Sequence, residues 1–197
     1  MLPVYEEQMA GLYYNTAAVI DATAATWQVP QEPHPRRRPL LGKVLLPARQ
    51  PRLPGLRHRG RQGRRLHLLR PALPRGWREL GLNGAEIVFN PSATKPGLSN
   101  RLWELEQPAA AAANQYFVAA NNRIGTESGE FGDKAVTFYG SSYFADPRGN
   151  YVGEVASTDT EEIVIRDLDL DLVRTVRNDW QFYRDRRPDS YDAIPAR

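Results

Sequence analysis

No cysteine occurs anywhere in the chain. It therefore has no thiolate to attack a carbonyl carbon, hold a soft metal or close a disulfide. Other residue types able to do chemistry are sparse and poorly grouped. Glu6 and Glu7 are adjacent and precede a strand-like run, where they read as solvated loop acids or a backbone-binding Glu. His34, His58 and His67 lie 24 and 9 residues apart with only Glu32 as a nearby acid, which is not the spacing of a metal site. Gly60–Gly63 (GRQG) lacks the Lys-Ser/Thr of a phosphate loop. Asn90, Ser92 and Thr94 follow a short apolar run. Open α/β sheets place ligand pockets at such strand ends, but the same residue types also satisfy the backbone of ordinary turns. Both readings stand for these three.

Charge divides the chain more sharply than any motif. Residues 33–75 hold 13 of the 26 Lys and Arg, all three His, eight of the 16 Pro and no Asp or Glu. The remainder carries 13 basic against 23 acidic side chains, a formal −10, so the net +3 comes from one segment. Such an arm attracts phosphates non-specifically. It has no Tyr or Phe, and only Trp27 at its margin, so base stacking is unsupported and no specific nucleic-acid partner is expected. The start of the chain does not resemble a secretory signal, and no apolar run is long enough to span a bilayer. A soluble cytoplasmic protein is the expectation.

The elements that must position these residues can be read in part. Leu12–Ala22 alternates aromatic and β-branched residues as a strand does, with Pro3, Glu6 and Glu7 before it as a loop. From Trp27 to Arg75 neither period holds and prolines recur, which predicts disorder or polyproline-like chain. Order returns at Gly76. Trp77–Leu82 ends a helix before Asn83-Gly84, and Ala85–Asn90 is a strand closed by Pro91. Ser99 caps a helix to Ala113, with Leu102, Leu105 and Ala109 on one face and a kink at Pro108. Strands follow at Tyr116–Ala120, Lys134–Tyr139, Gly149–Val155 and Glu161–Leu168, then a closing helix at Asp169–Trp180. The order implies a mixed α/β sheet covered on both faces.

Several blocks of this ordered half occur together in one known family. Asn83–Thr94 (NGAEIVFNPSAT), Trp103–Asn122 (WELEQPAAAAANQYFVAANN), Arg123–Glu127 (RIGTE) and Phe138–Ala145 (FYGSSYFA) stand in order. Tyr13–Ala22 (YYNTAAVIDA) precedes them and Val176–Ala193 (VRNDWQFYRDRRPDSYDA) follows. Together they resemble the carbon–nitrogen hydrolase (nitrilase) superfamily, in its β-ureidopropionase and N-carbamoyl-amine hydrolase branch. The resemblance implies an α-β-β-α sandwich, incomplete here, and hydrolysis of N-carbamoyl amines or amino acids without a cofactor. It implies a small-molecule substrate and a homo-oligomer. It further implies a Glu–Lys–Glu–Cys set in which the Cys attacks, one Glu is the general base and the Lys stabilises the tetrahedral intermediate. The loop of Asn90, Ser92 and Thr94 would lie near the substrate, while Arg123 and Glu127 would be structural. The Lys, the second Glu and the Cys belong between the strand at 12–22 and the helix ending near 82. The first Glu would lie upstream of Met1, so the chain reads as truncated.

That interval is the anomalous one, and a shifted codon phase restores its missing blocks. Reading the last two bases of each codon with the first of the next, synonymous codons let Trp27–Pro35 give GKYRKNHIP. Leu40–His58 can begin FWEKFYF, and Arg61–Arg75 can give GKVGVYICYDRHFPE, directly upstream of Gly76-Trp77. These resemble the family's lysine, second-glutamate and nucleophile motifs. The cysteine codon would straddle Leu68 and Leu69, the lysine codon Gln31 and Glu32, and the glutamate codon Gly42 and Lys43. Three pieces result: residues 1–24 and 76–197 as parts of one hydrolase domain, and 25–75 as an insert read out of phase. No catalytic residue remains, and the expectation is an inactive chain with an unpaired edge beside the strand at 85–90. Two other roles fit the printed residues: a basic arm binding nucleic acid, or a catalytically dead oligomerisation partner.

Overall fold

A computed structural model describes residues 73–128 and 135–191, and before them the strand backbone of 2–9, 12–20, 26–29, 56–58 and 61–65. Strands β1 (Leu2–Met9), β2 (Leu12–Ile20) and β3 (Thr26–Val29) form an antiparallel sheet in that order. A second sheet contains β4 (Leu56–His58), β5 (Arg61–Arg65), β6 (Ile87–Ser92), β7 (Phe117–Asn122) and β10 (Tyr143–Ala145), in the order β10-β7-β6-β5-β4. A separate ribbon pairs β8 (Ile124–Glu127) with β9 (Val136–Tyr139). The helices are α1 (Pro74–Leu82), α2 (Leu98–Asn114) and α3 (Asp171–Asp179). No helix among the described residues is long and apolar enough to cross a membrane.

The three parallel strands β5, β6 and β7 are the part that matters for a site. Ile87 to Ser92 run beside Phe117 to Asn122, and Gly63, Arg64 and Arg65 lie opposite Ile87, Val88 and Phe89. The expected open edge is therefore occupied, and by residues of the basic segment. The backbone ladder uses only N–H and C=O groups, so RQGRR can pair where a Val/Ile-rich strand is usual. Short strands β3, β4 and β5 likewise replace the disorder expected over 27–75, although most of that interval lies outside the described residues.

Other expectations are corrected. Pro3, Glu6 and Glu7 belong to strand β1 and not to a loop, since β1 and β2 form a hairpin with Glu6 opposite Tyr14 and Glu7 opposite Tyr13. β6 continues through Pro91 and Ser92, beyond the last β5 partner at Phe89, so the missing Pro91 N–H removes no rung on the β5 side. Gly149–Val155 contributes one isolated bridge, Ala145 to Tyr151, and Glu161–Leu168 forms no strand and has no strand partner among the described residues. Ser99 sits inside the first turn of α2. The cap is Gly97 at φ +123°, whose N–H donates to Asn100 Oδ1 at 2.7 Å while Asn100 N–H returns to the Gly97 carbonyl at 3.2 Å.

Helix α2 buries Trp103, Gln107, Ala110, Ala111 and Asn114, whereas Leu105 is half exposed. The apolar face expected from Leu102, Leu105 and Ala109 is thus rotated away from the core. The helix continues through Pro108, whose missing N–H leaves the Glu104 carbonyl without its helical donor. The Tyr151 hydroxyl points at that carbonyl from 3.4 Å. A Gly149 turn, pinned by Asp146 Oδ1 accepting from the N–H groups of Arg148 and Asn150, packs against the Pro108 carbonyl.

Trp77, Leu80, Val88, Trp103, Tyr116, Val118 and Tyr143 make the core between α1, α2 and the sheet. Tyr116 donates to the Trp77 carbonyl at 3.1 Å, and the rings of Trp103 and Tyr143 meet edge to face at 5.8 Å. The tail after α3 is held by Tyr183, whose ring lies 5.1 Å from the guanidinium carbons of both Arg78 and Arg177. Arg78 then donates to the Ala113 carbonyl and Arg177 to that of Ala85.

Candidate functional site

The end of β6 gathers the three residues that the sequence marked. Val88, Asn90 and Ser92 share one face of the strand, because side chains alternate with period two. Asn90 is fully buried, and its Nδ2 donates to Gln107 Oε1 of α2 at 2.9 Å. Ser92 is also buried. Thr94, just beyond the strand, donates from Oγ1 to the Tyr139 hydroxyl at 2.8 Å, and its N–H reaches Asn122 Oδ1 at 2.8 Å. Tyr139 in turn donates to the Ser99 carbonyl at 3.2 Å, tying the loop to the start of α2.

Around them lies a layer that the sequence reading missed. Gln107, Asn122, Tyr139 and Ser142 hold the loop through side-chain bonds, with Asn122 N–H donating to Ser142 Oγ at 2.9 Å. Gln107 was visible in principle, since it is four residues after Trp103 and so faces inward with it. Asn90 Oδ1, Ser92 Oγ, Gln107 Nε2 and Asn122 Nδ2 are buried without a protein partner. The Asn90–Gln107 pair thus uses one of its two possible amide contacts and leaves an acceptor and a donor open.

The chemistry these described residues offer is hydrogen bonding. Burial raises the phenol of Tyr143 far above the usual value, and neighbouring Tyr151, Tyr139, Glu104 and Glu106 add to the effect, so it stays protonated. Glu106 is raised too, by burial alone. Arg123 pairs with Glu127 on the surface and lies over the Phe138 ring at 5.0 Å, in keeping with a structural role. No group of His, Cys, Asp or Glu able to hold a metal occurs among the described residues. His58 ends β4, while His34 and His67 lie outside the described residues. A shallow cleft of about 480 Å³ lies elsewhere, between Gly81, Leu82, Arg177, Tyr183 and Arg184.

Strand β5 leaves the sheet at Arg65, opposite Phe89 and one step short of Asn90. Leu68 and Leu69, which stand where the shifted phase puts a cysteine codon, lie just past β5 and outside the described residues.

Comparison with known proteins agrees with this geometry. The carbon–nitrogen hydrolase family model matches residues 1–178, across the basic segment. β-Ureidopropionase of Arabidopsis thaliana is 40% identical over 138 residues, covering 63% of this chain and 33% of that protein. The chain thus spans about a third of that relative's length. A carbon–nitrogen hydrolase from Helicobacter pylori superposes with a TM-score of 0.82 at 26% identity, over 99% of this chain and 70% of that one. An amidase of the nitrilase superfamily from Nesterenkonia, a mutant of which shows Michael addition of acrylamide at the active-site cysteine, matches with a TM-score of 0.53 at 26% identity, over 69% of this chain and 50% of that one. The α/β architecture is that of the nitrilase superfamily. With a match running from Met1 to Asn178, this chain belongs to the carbon–nitrogen hydrolase family.

Proposed function

We propose that this chain derives from an enzyme that hydrolyses N-carbamoyl amines or amino acids to the amine, carbon dioxide and ammonia, and that it is itself inactive. The observation that carries the proposal is the absence of any cysteine from a chain whose relative reacts at one. Leucine at 68 and 69 can neither ionise nor attack a carbonyl. Loss of the nucleophile costs roughly a millionfold in turnover in a well-studied hydrolase.

In this reading residues 25–75 are the out-of-phase product of the region that carries the lysine, second glutamate and cysteine in the parent. Residues 1–24 and 76–197 are the flanking parts of one domain. Thr94 shapes the wall of the parent pocket beyond β6, while Asn90 acts behind it as a positioning residue through Gln107, with Ser92 buried beside it on the same strand face. The small-molecule substrate belongs to the parent, not to this chain. Purified protein is expected to release no ammonia from N-carbamoyl-β-alanine above a heat-treated blank. Steady release that scales with protein concentration would overturn the proposal.

A further inference from the structure

Asn90 Oδ1, Ser92 Oγ, Gln107 Nε2 and Asn122 Nδ2 are buried side-chain atoms that no protein group satisfies. They come from neighbouring positions. In the parallel ladder Asn90 lies opposite Ala120 and Ser92 opposite Asn122, and side chains at paired positions share a face of the sheet. Ala120 packs in one core with Trp103, Ala110 and Ala111 of α2, so this is the face that α2 covers. Gln107 comes down onto it and accepts from Asn90 Nδ2 at 2.9 Å. A buried polar group left unpaired destabilises by more than a net hydrogen bond stabilises, so four together call for a partner. We infer that these four groups enclose an internal water-binding site between β6, β7 and α2.

The chemistry of the open groups selects water. Gln107 Nε2 and Asn122 Nδ2 are donors, Asn90 Oδ1 is an acceptor, and the Ser92 hydroxyl serves as either. With that hydroxyl accepting, the set offers two donors and two acceptors, the complement of a water molecule. A metal cation would meet the amide N–H groups, and an anion the Asn90 carbonyl oxygen. Asn90 and Gln107 are fully enclosed, which excludes a larger neutral ligand. Room comes from Ala120, which sets only a methyl group beside Asn90. The amides cannot satisfy each other as they stand, because Asn90 Nδ2 and Gln107 Oε1 are already joined. Asn122 Oδ1 is likewise held by the Thr94 N–H at 2.8 Å, which leaves its Nδ2 for the site. Buried waters typically make about three hydrogen bonds to groups of this kind. Bound there, water ties the ends of β6 and β7 to α2. All four residues lie outside 25–75, so the inference is independent of the phase of that segment.

Water enclosed in this way leaves only when the layer opens, so it outlasts the tumbling of the molecule. Rotating-frame Overhauser spectra of the full chain are expected to show water in contact with the side-chain amide protons of both Gln107 and Asn122. Oxygen-17 relaxation dispersion of the solvent counts such long-lived waters. The variant Asn90→Leu/Gln107→Leu replaces both members of the amide pair by apolar groups, so neither is left stranded by loss of the other. It is expected to lower the dispersion amplitude by the share of at least one molecule, and to lose the water contact of Asn122, which is itself unchanged. Should that variant fail to fold, the wild-type spectra decide alone. Amide protons of Gln107 and Asn122 without a water contact, or a folded variant with undiminished amplitude, would overturn the inference.

Discussion

Tyr116 and Tyr143 are buried phenols whose hydroxyls end on main-chain carbonyls, those of Trp77 and Trp103. Burial is the largest cause of the raised affinity of both for their protons. Because the folded values lie above the ordinary 10, the folded and unfolded forms hold the same protons below pH 10, and stability there is unaffected. Above pH 10 the unfolded chain loses phenolic protons that the fold retains, so stability falls as pH rises. In a 295 nm absorbance titration, the last tyrosines are expected to ionise only as the circular dichroism signal collapses, and Y116F/Y143F to lack that step. Ionisation of all nine tyrosines together near pH 10 with the fold intact would contradict the burial described here. Which polar residues would be buried was the least legible property at this scale. Asn90 was marked from its place at a strand end, but its Gln107 partner lies 17 residues away, and only the packing of α2 on β6 brings the two together.

The elements were legible where local chemistry decides them. The end of α1 was visible from Asn83-Gly84, because Gly84 takes φ +82° and its N–H closes on the Gly81 carbonyl at 2.9 Å. α3 was visible from its acidic start, β2 from its alternating aromatic and β-branched residues, and β6 and β7 from their apolar runs. Two of the differences arise because a strand is a relation between segments. Glu161–Leu168 has the pattern without a partner, whereas Arg61–Arg65 has the partner without the pattern. Packing of the tail gives a direct test at this scale. A Cβ on Gly81 would lie 2.1 Å from the Tyr183 hydroxyl, which also donates to the Asn114 carbonyl. Gly81→Ala must therefore displace the tail although it favours the helix, and a loss of about 1–3 kcal/mol in urea unfolding is expected. The double variant with Tyr183→Phe should recover much of that loss; an unchanged or raised midpoint for Gly81→Ala alone would refute the contact.

At the scale of the whole molecule, two bodies of opposite charge share one chain. The flanks total −10, and residues 33–75 carry 13 positive charges with no acid among them. Selection for a hydrolase explains the flanks, which retain the superfamily fold and the polar layer behind β6. It does not explain a strand such as RQGRR in the middle of a parallel sheet, where a covered strand is normally apolar. Translation in a shifted phase, as proposed here, would account for both, because it preserves length and position while replacing residue type. The family match runs from residue 1 to residue 178, a range that includes the segment. The nucleotide sequence of codons 20–80 tests this most directly. A second phase is expected to read GKVGVYICYDRHFPE without a stop, up to the codon for Gly76. Stop codons in that phase, or no cysteine codon across Leu68 and Leu69, would contradict it.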